Sequence, residues 1–234
     1  MLLFHCLLFV FLWMFLGYDS LPAAEYIIVS GGPAIRFFEK DKTNSHDKYW
    51  GNFIDAPILL SKKILPTLKA EDKLTWLVYR PGYKTRGEEM DTDLLAEIQT
   101  KAKNAGINLM WFDRSEQLVN YLNRGQNRKQ VPIASLDYFG HSNKACFLFD
   151  FSCHVDGMSV DYFHVKDLDK IKNNVFAKDA KAKSWGCHSG EYYSQAWKKR
   201  FGIPMEGAIG KTDYSRGGLP FLSGKDGKPG SWVQ

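Results

Sequence analysis

The chain has 234 residues, 44% of them hydrophobic and 15% aromatic, which is enough for one packed domain with a sizeable core. Its net charge is +5 and its pI is near 8.9. The Lys and Arg residues are spread over many segments, with no dense basic block and no nucleic-acid motif, which argues against a nucleic-acid partner.

The first element is a nearly unbroken apolar run from Leu2 to Leu16, followed by small residues at Pro22-Ala23-Ala24. It is shorter than the ~20 residues of a membrane-spanning helix, so residues 1–24 read as a secretory signal peptide cleaved near Ala24. The absence of Lys or Arg ahead of the run is the one feature out of pattern. The expected mature chain, 25–234, is exported to the periplasm or secreted and keeps no stable membrane span.

Glu25 to Val29 reads as a first strand, ended by Ser30-Gly31-Gly32-Pro33. Lys40 to Asp47 is a polar loop. A helix is expected from near His46 to Lys63, with Trp50, Phe53 and Ile54 facing inward and Pro57 kinking it. Leu74 to Tyr79 is a second strand, followed by Arg80-Pro81-Gly82-Tyr83 and a charged loop. Asp91 or Thr92 caps a helix carrying Leu94, Leu95 and Ile98, and Gly106 stops it. Ile107 to Phe112 is a third strand, Ser115 to about Gly125 a helix, and Val131 to Phe139 a fourth strand. The alternation indicates an α/β fold with a mainly parallel sheet. Ala145 to Ser152 then reads as a β-ribbon turned at Asp156-Gly157, and His164 to Asn173 as a short helix. A strand follows over Lys181 to Gly186, a helix over Glu191 to Arg200 and a last strand over Met205 to Ile209. Residues 210–234 hold six Gly and two Pro and read as a loop or loosely packed tail.

Two strand ends carry chemistry. Leu136-Asp137-Tyr138-Phe139-Gly140-His141-Ser142 is an apolar strand ending in Gly-His-Ser. Lys183-Ser184-Trp185-Gly186-Cys187-His188-Ser189-Gly190-Glu191 is a strand, a tight turn and an expected helix start with a thiol at the turn. First-turn N–H groups and the helix dipole there favour the nucleophilic thiolate. His141 and Cys187 are distant in sequence, but strand-end residues meet at one sheet edge. With Cys6 in the leader, Cys146, Cys153 and Cys187 remain. Cys146 and Cys153 are near enough to pair across the ribbon, leaving Cys187 free. Two buried reduced thiols are an equally good reading.

An apolar strand ending in His, a connecting helix and a strand ending in Cys-x-Ser-Gly resemble the caspase-like cysteine peptidases of clan CD, a group with caspases, legumains, gingipains and CHAT-type proteases. The matching residues are Tyr138-Phe139-Gly140-His141-Ser142 and Trp185-Gly186-Cys187-His188-Ser189-Gly190. Taken whole, the chain also resembles a family of exported bacterial proteins with no assigned function. The resemblance implies a three-layer α/β/α, caspase-like fold and an endopeptidase working through a Cys-His dyad and a thioester acyl-enzyme on a peptide or protein substrate, with no cofactor. It implies Cys187 as nucleophile, His141 as proton carrier, and the backbone N–H groups of Cys187 and Ser142 as oxyanion donors. The family has Gly where this chain has Ser142, which keeps a catalytically inactive binding module as an alternative. A thiol-dependent amidase or transpeptidase is another.

Pocket candidates are the stretches Ser30-Gly31-Gly32 and Lys211-Thr212-Asp213, with His188 and Arg80. Asp213 in the pocket would favour a basic substrate side chain, Arg80 an acidic one. His188 is a second-ranked base, a pocket wall or a thiolate stabiliser. Asp137, on the face opposite Tyr138, reads as a core-edge or solvent-facing residue rather than one that orients the site. The Cys and His residues show no zinc-ligand spacing, so no metal is expected. No G-x-S-x-G elbow occurs.

Overall fold

The computed structural model describes residues 23–34, 48–150, 160–215, 217–224 and 227–234. Most of the expected leader, the polar loop with His46, Cys153, His154 and the turn at Asp156-Gly157 lie outside the described residues.

The strands, in chain order, are β1 (Glu25–Ser30), β2 (Lys73–Tyr79), β3 (Asn108–Phe112), β4 (Ile133–Phe139), β5 (His141–Ser142), β6 (Cys146–Asp150), β7 (Asp161–His164), β8 (Phe176–Ser184), β9 (Met205–Ile209), β10 (Lys211–Asp213), β11 (Phe221–Gly224) and β12 (Ser231–Val233). The helices are α1 (Asn52–Ile64), α2 (Arg80–Met90), α3 (Leu94–Asn104), α4 (Ser115–Arg124) and α5 (Tyr193–Phe201). Seven strands form the central sheet in the order β12-β9-β8-β4-β1-β2-β3. All neighbours are parallel except β12, which runs antiparallel to β9. β5, β6 and β7 make a separate antiparallel sheet, and β10 pairs with β11.

Successive strand residues face opposite sides, and both sides are apolar, as in a sheet covered on both faces. Ile27, Val29, Leu77, Leu136 and Tyr138 pack with Leu118 and Leu122 of α4 and Trp197 of α5. Ile28, Trp76, Val78 and Phe139 pack with Phe53 and Ile54 of α1, Tyr83 of α2 and Ile98 of α3. The molecule is therefore a mixed α/β structure with helices on each side of a mostly parallel sheet. At the amino end of the sheet, buried Glu25 accepts from Thr75 (2.6 Å), Tyr121 (2.6 Å) and Arg128 (2.5 Å). A carboxylate taken out of water persists only when paired in this way.

Three expectations are corrected. Arg80 opens α2 rather than a loop, with Pro81 in its first turn; Gly82, Tyr83, Arg86 and Gly87 form a buried face that has too few apolar side chains to register as periodic. The helix after it is capped by Asp93, whose Oδ1 accepts from the Ala96 N–H at 3.0 Å, not by Asp91 or Thr92. The Gly-rich end of the chain is not a loose tail: β12 completes the sheet, pairing Ser231 with Ile209 and Val233 with Gly207.

Pro57 lies inside α1 without ending it. Lacking an N–H, it leaves the carbonyl four residues earlier, on Phe53, without a helical donor. The Ser30 hydroxyl fills that role at 2.6 Å and itself accepts from Trp76 Nε1 at 2.8 Å. Ser30→Ala strands two buried polar groups and is expected to cost roughly 2–4 kcal/mol in urea unfolding. In a Pro57→Ala background the restored N–H satisfies Phe53, and the same Ser30→Ala change is expected to cost about 1 kcal/mol less.

Candidate active site

The chain leaves β1 towards β2 and β3 on one side, then returns to place β4 on the other side of β1. The carboxyl ends of β1 and β4 therefore border a topological switch point, where open α/β sheets leave a crevice. β4 and β8 are parallel neighbours in a register that puts Tyr138 opposite Ser184. Trp185 N–H to the Tyr138 carbonyl (2.8 Å) is the last hydrogen bond between these two strand ends. His141 and Cys187 are each three residues beyond that rung, and both line one cavity of about 260 Å³. Pro33 and Ala34 after β1, Tyr49, Asn52 and Phe53 around the start of α1, Gly140 after β4, and Lys211, Thr212 and Tyr214 after β9 complete its wall among the described residues.

The two turns are fastened to each other. Ser142 Oγ donates to the Cys187 carbonyl at 2.6 Å. A Cβ on Gly186 would lie 2.2 Å from Ser142 Oγ and 2.8 Å from the Gly140 carbonyl, so only glycine permits this approach. The His141 carbonyl accepts from the Tyr138 hydroxyl at 2.7 Å. Its ring stands edge-on to Phe53, with centroids 4.9 Å apart and planes at 89°. Phe53 is thus the link from the Ser30 contact to the imidazole.

Cys187 is half-buried and its thiol is free. The helix does not begin beside it. α5 starts at Tyr193, and the intervening amides are engaged elsewhere: His188 N–H on the Gly210 carbonyl (2.7 Å) and Gly190 N–H on the Ala208 carbonyl (2.9 Å). The expected first-turn N–H groups and helix dipole are therefore not the thiol's surroundings. Thr212 replaces them. Its backbone N–H points at Sγ from 3.4 Å, while its carbonyl (3.8 Å) and hydroxyl oxygen (3.6 Å) stand ready to accept from S–H. The Thr212 hydroxyl donates to the Trp185 carbonyl at 2.8 Å, which fixes that arrangement. Tyr214 Oη shares the same carbonyl at 3.2 Å, and burial pushes its phenol far up, so it stays a neutral donor.

The remaining sequence candidates fall outside the cavity wall. Gly31 and Gly32 donate to the Phe139 and Phe149 carbonyls at 2.8 and 2.9 Å; they let the end of β1 pack between β4 and β6. Asp213 accepts from the Ser215 N–H at 2.7 Å. Arg80 forks onto Asp113 at the far side of β1, with Nε to Oδ1 at 2.7 Å. His188 turns its ring to Glu191 (2.5 Å). Cys146 is a free thiol on β6, while its expected partner Cys153 lies outside the described residues. Tyr214 was not singled out by the sequence, and Thr212 only as a member of the pocket-candidate stretch Lys211-Thr212-Asp213, not as a partner of the thiol. Phe53 was marked only by the inward stripe on α1.

Below the thiol turn, on the face opposite Tyr138, Asp137 accepts from Trp185 Nε1 at 2.9 Å. Lys183 Nζ lies 3.9 Å from the Trp185 ring and 4.1 Å from the Trp232 ring, and it pairs with Glu206. Burial pushes the Asp137 carboxyl up to about 6, against the opposing pull of the Trp185 hydrogen bond and Lys183. Comparison with family models, curated proteins and solved structures gave no match.

Gly186→Ala is expected to destabilise by roughly 1–3 kcal/mol through overpacking. Adding Ser142→Gly removes the nearest clash and should recover part of that loss in a double-mutant cycle of denaturant midpoints. Asp137 binds its proton more tightly folded than unfolded, so its contribution to stability falls as pH climbs from about 4 through 6. Asp161 is likewise held near 6, mainly by burial, and acts in the same direction. Asp137→Asn is expected to reduce, not abolish, the fall in Tm between pH 5 and 7.5. The change at the upper pH is at most about 3 kcal/mol, less for the share that water screens.

Proposed function

We propose that this chain is an exported cysteine endopeptidase of caspase-like fold, with Cys187 as nucleophile and His141 as proton carrier. The observation that carries the reading is the cavity shared by Cys187 and His141, reached from adjacent parallel strands at the same distance past one rung. Cys187 gives its S–H proton to His141, and Sγ attacks a peptide carbonyl, forming a C–S bond and a tetrahedral oxyanion. His141 delivers a proton to the departing amine as the C–N bond breaks, leaving a thioester. It then takes a proton from water, which attacks the thioester; as the C–S bond breaks, His141 returns that proton to sulfur, releasing the acid and the free thiol.

The oxyanion donors in this reading are the N–H groups of Cys187 and Ser142. The Asn143 N–H bonds the Cys146 carbonyl at 3.0 Å, and Ser142 is the next residue along, opposite Phe147. Alternation along an antiparallel ladder then turns the Ser142 N–H away from β6. The substitution of Ser for Gly was the argument for an inactive binding module. Among the described residues, the non-glycines with positive φ are Asp91 and His188 only. Ser142 therefore needs no glycine conformation, and that argument loses its physical basis.

Among the described residues, the cavity wall beside the dyad offers Lys211, Asn52, Thr212, Tyr49 and Tyr214 as polar groups and no carboxylate. We expect an uncharged or acidic side chain before the cleaved bond, and discrimination against a basic one. A peptide-library digest with product analysis tests both points. Cleavage is expected to fall by about 10²–10⁴ in His141→Ala and to vanish in Cys187→Ala. Transfer to an added amine instead of hydrolysis would move the assignment to transpeptidase chemistry. No cleavage, together with a Cys187 iodoacetamide rate indifferent to His141→Ala, would overturn the dyad.

A further inference from the structure

His188, the residue after Cys187, has φ of +60°, a left-handed conformation that side chains with a Cβ seldom adopt. The other non-glycine of this kind among the described residues, Asp91, ends a helix, where the conformation is commonplace. His188 has no such excuse, so the surrounding contacts must hold it there. Its N–H donates to the Gly210 carbonyl at 2.7 Å, and its Nδ1 lies 2.5 Å from Glu191 Oε1. The same Oε1 accepts from the Gly210 N–H at 3.3 Å. Ser189 closes the loop from the other side, donating through Oγ to the Gly186 carbonyl at 3.1 Å.

Gly210 is the corner between β9 and β10. Two residues beyond it is Thr212, whose N–H faces Cys187 Sγ. One carboxylate oxygen therefore joins the turn that carries the thiol to the corner that carries the thiol's donor. Neither His188 nor Glu191 lines the cavity.

We infer that Glu191 and His188 form a positioning pair that sets the reactivity of Cys187 from outside the cavity, by holding Sγ against the Thr212 N–H. The pair touches neither substrate nor reacting atoms. It rests on the reading of Cys187 as the nucleophile. A merely structural role would predict something different. Loosening the fold exposes thiols and speeds their alkylation, at Cys146 as well as at Cys187. Loss of the positioning pair withdraws a donor from one sulfur and slows Cys187 alone.

The test is the second-order rate of iodoacetamide modification of the folded full chain at pH 7, with each modified thiol located by mass spectrometry and Cys146 as the internal reference. Glu191→Ala and His188→Ala are expected to slow Cys187 about tenfold and leave Cys146 unchanged. His188→Asn should stay within about threefold of the parent, since Asn tolerates the left-handed region and its amide can donate to Glu191. A parental Cys187 rate in Glu191→Ala, or His188→Asn as slow as His188→Ala, overturns the inference. Glu191→Asp, shorter by one methylene, decides if the alanine variants do not fold. Slowing of about threefold or more supports the pair, and an unchanged rate overturns it. His141→Ala in the same assay reports on the dyad separately: an effect of Glu191 without an effect of His141 removes the peptidase reading and leaves the positioning pair standing.

Discussion

The rung that pairs Tyr138 with Ser184, prolonged by the Trp185 N–H on the Tyr138 carbonyl, is the constraint on which the site depends. Two parallel strands leave it together, and three positions later one reaches His141 and the other Cys187. A slip of one residue in either strand would turn every side chain on it to the other face. Tyr138 would lose the helix-covered core and Asp137 its contact with Trp185. The register is thus enforced by burial on both faces, and the placement of His141 and Cys187 at one cavity inherits that enforcement.

Support for the thiol turn comes from opposite directions. From above, Thr212 and Tyr214 both donate to the Trp185 carbonyl. From below, the Trp185 ring stacks on Phe139 with planes at 10° and meets Trp232 edge-on. Lys183 lies close to both indoles, and such a cation is favoured there when water is partly excluded. Trp232 belongs to β12, so this strand buttresses the turn that carries the Cys187 thiol. This gives the closing antiparallel strand a role in the site that its few residues would not suggest.

The alternating strands and helices up to Phe139 were legible because long apolar runs and punctuating glycines mark them. The strand-end positions of His141 and Cys187 followed from the same signals. What was hidden depends on contacts remote in sequence. Thr212 approaches Cys187 across 25 residues, and nothing local in Lys211-Thr212-Asp213 marks it as a sulfur partner. The helix over Arg80–Met90 buries glycines and an arginine, a face that hydrophobic periodicity does not detect. β12 pairs with β9 through backbone bonds, and short Gly-flanked strands of this kind carry little side-chain pattern. The helix near Cys187 was expected too early because His188 takes a left-handed turn, for which histidine is a poor sequence marker.

Ser142 shows how one residue serves two demands at once. Its side chain crosses to the Cys187 carbonyl and occupies the space that Gly186 leaves open. Its ladder position sends the backbone N–H in the direction that the ladder does not use. A glycine there would keep the amide but forfeit the hydroxyl bridge, and the two turns would then be joined at this point by packing alone. An alanine would keep the Cβ but leave the buried-side carbonyl of Cys187 without this donor. Serine satisfies the carbonyl and leaves the amide available, a local solution to holding His141 and Cys187 at one cavity.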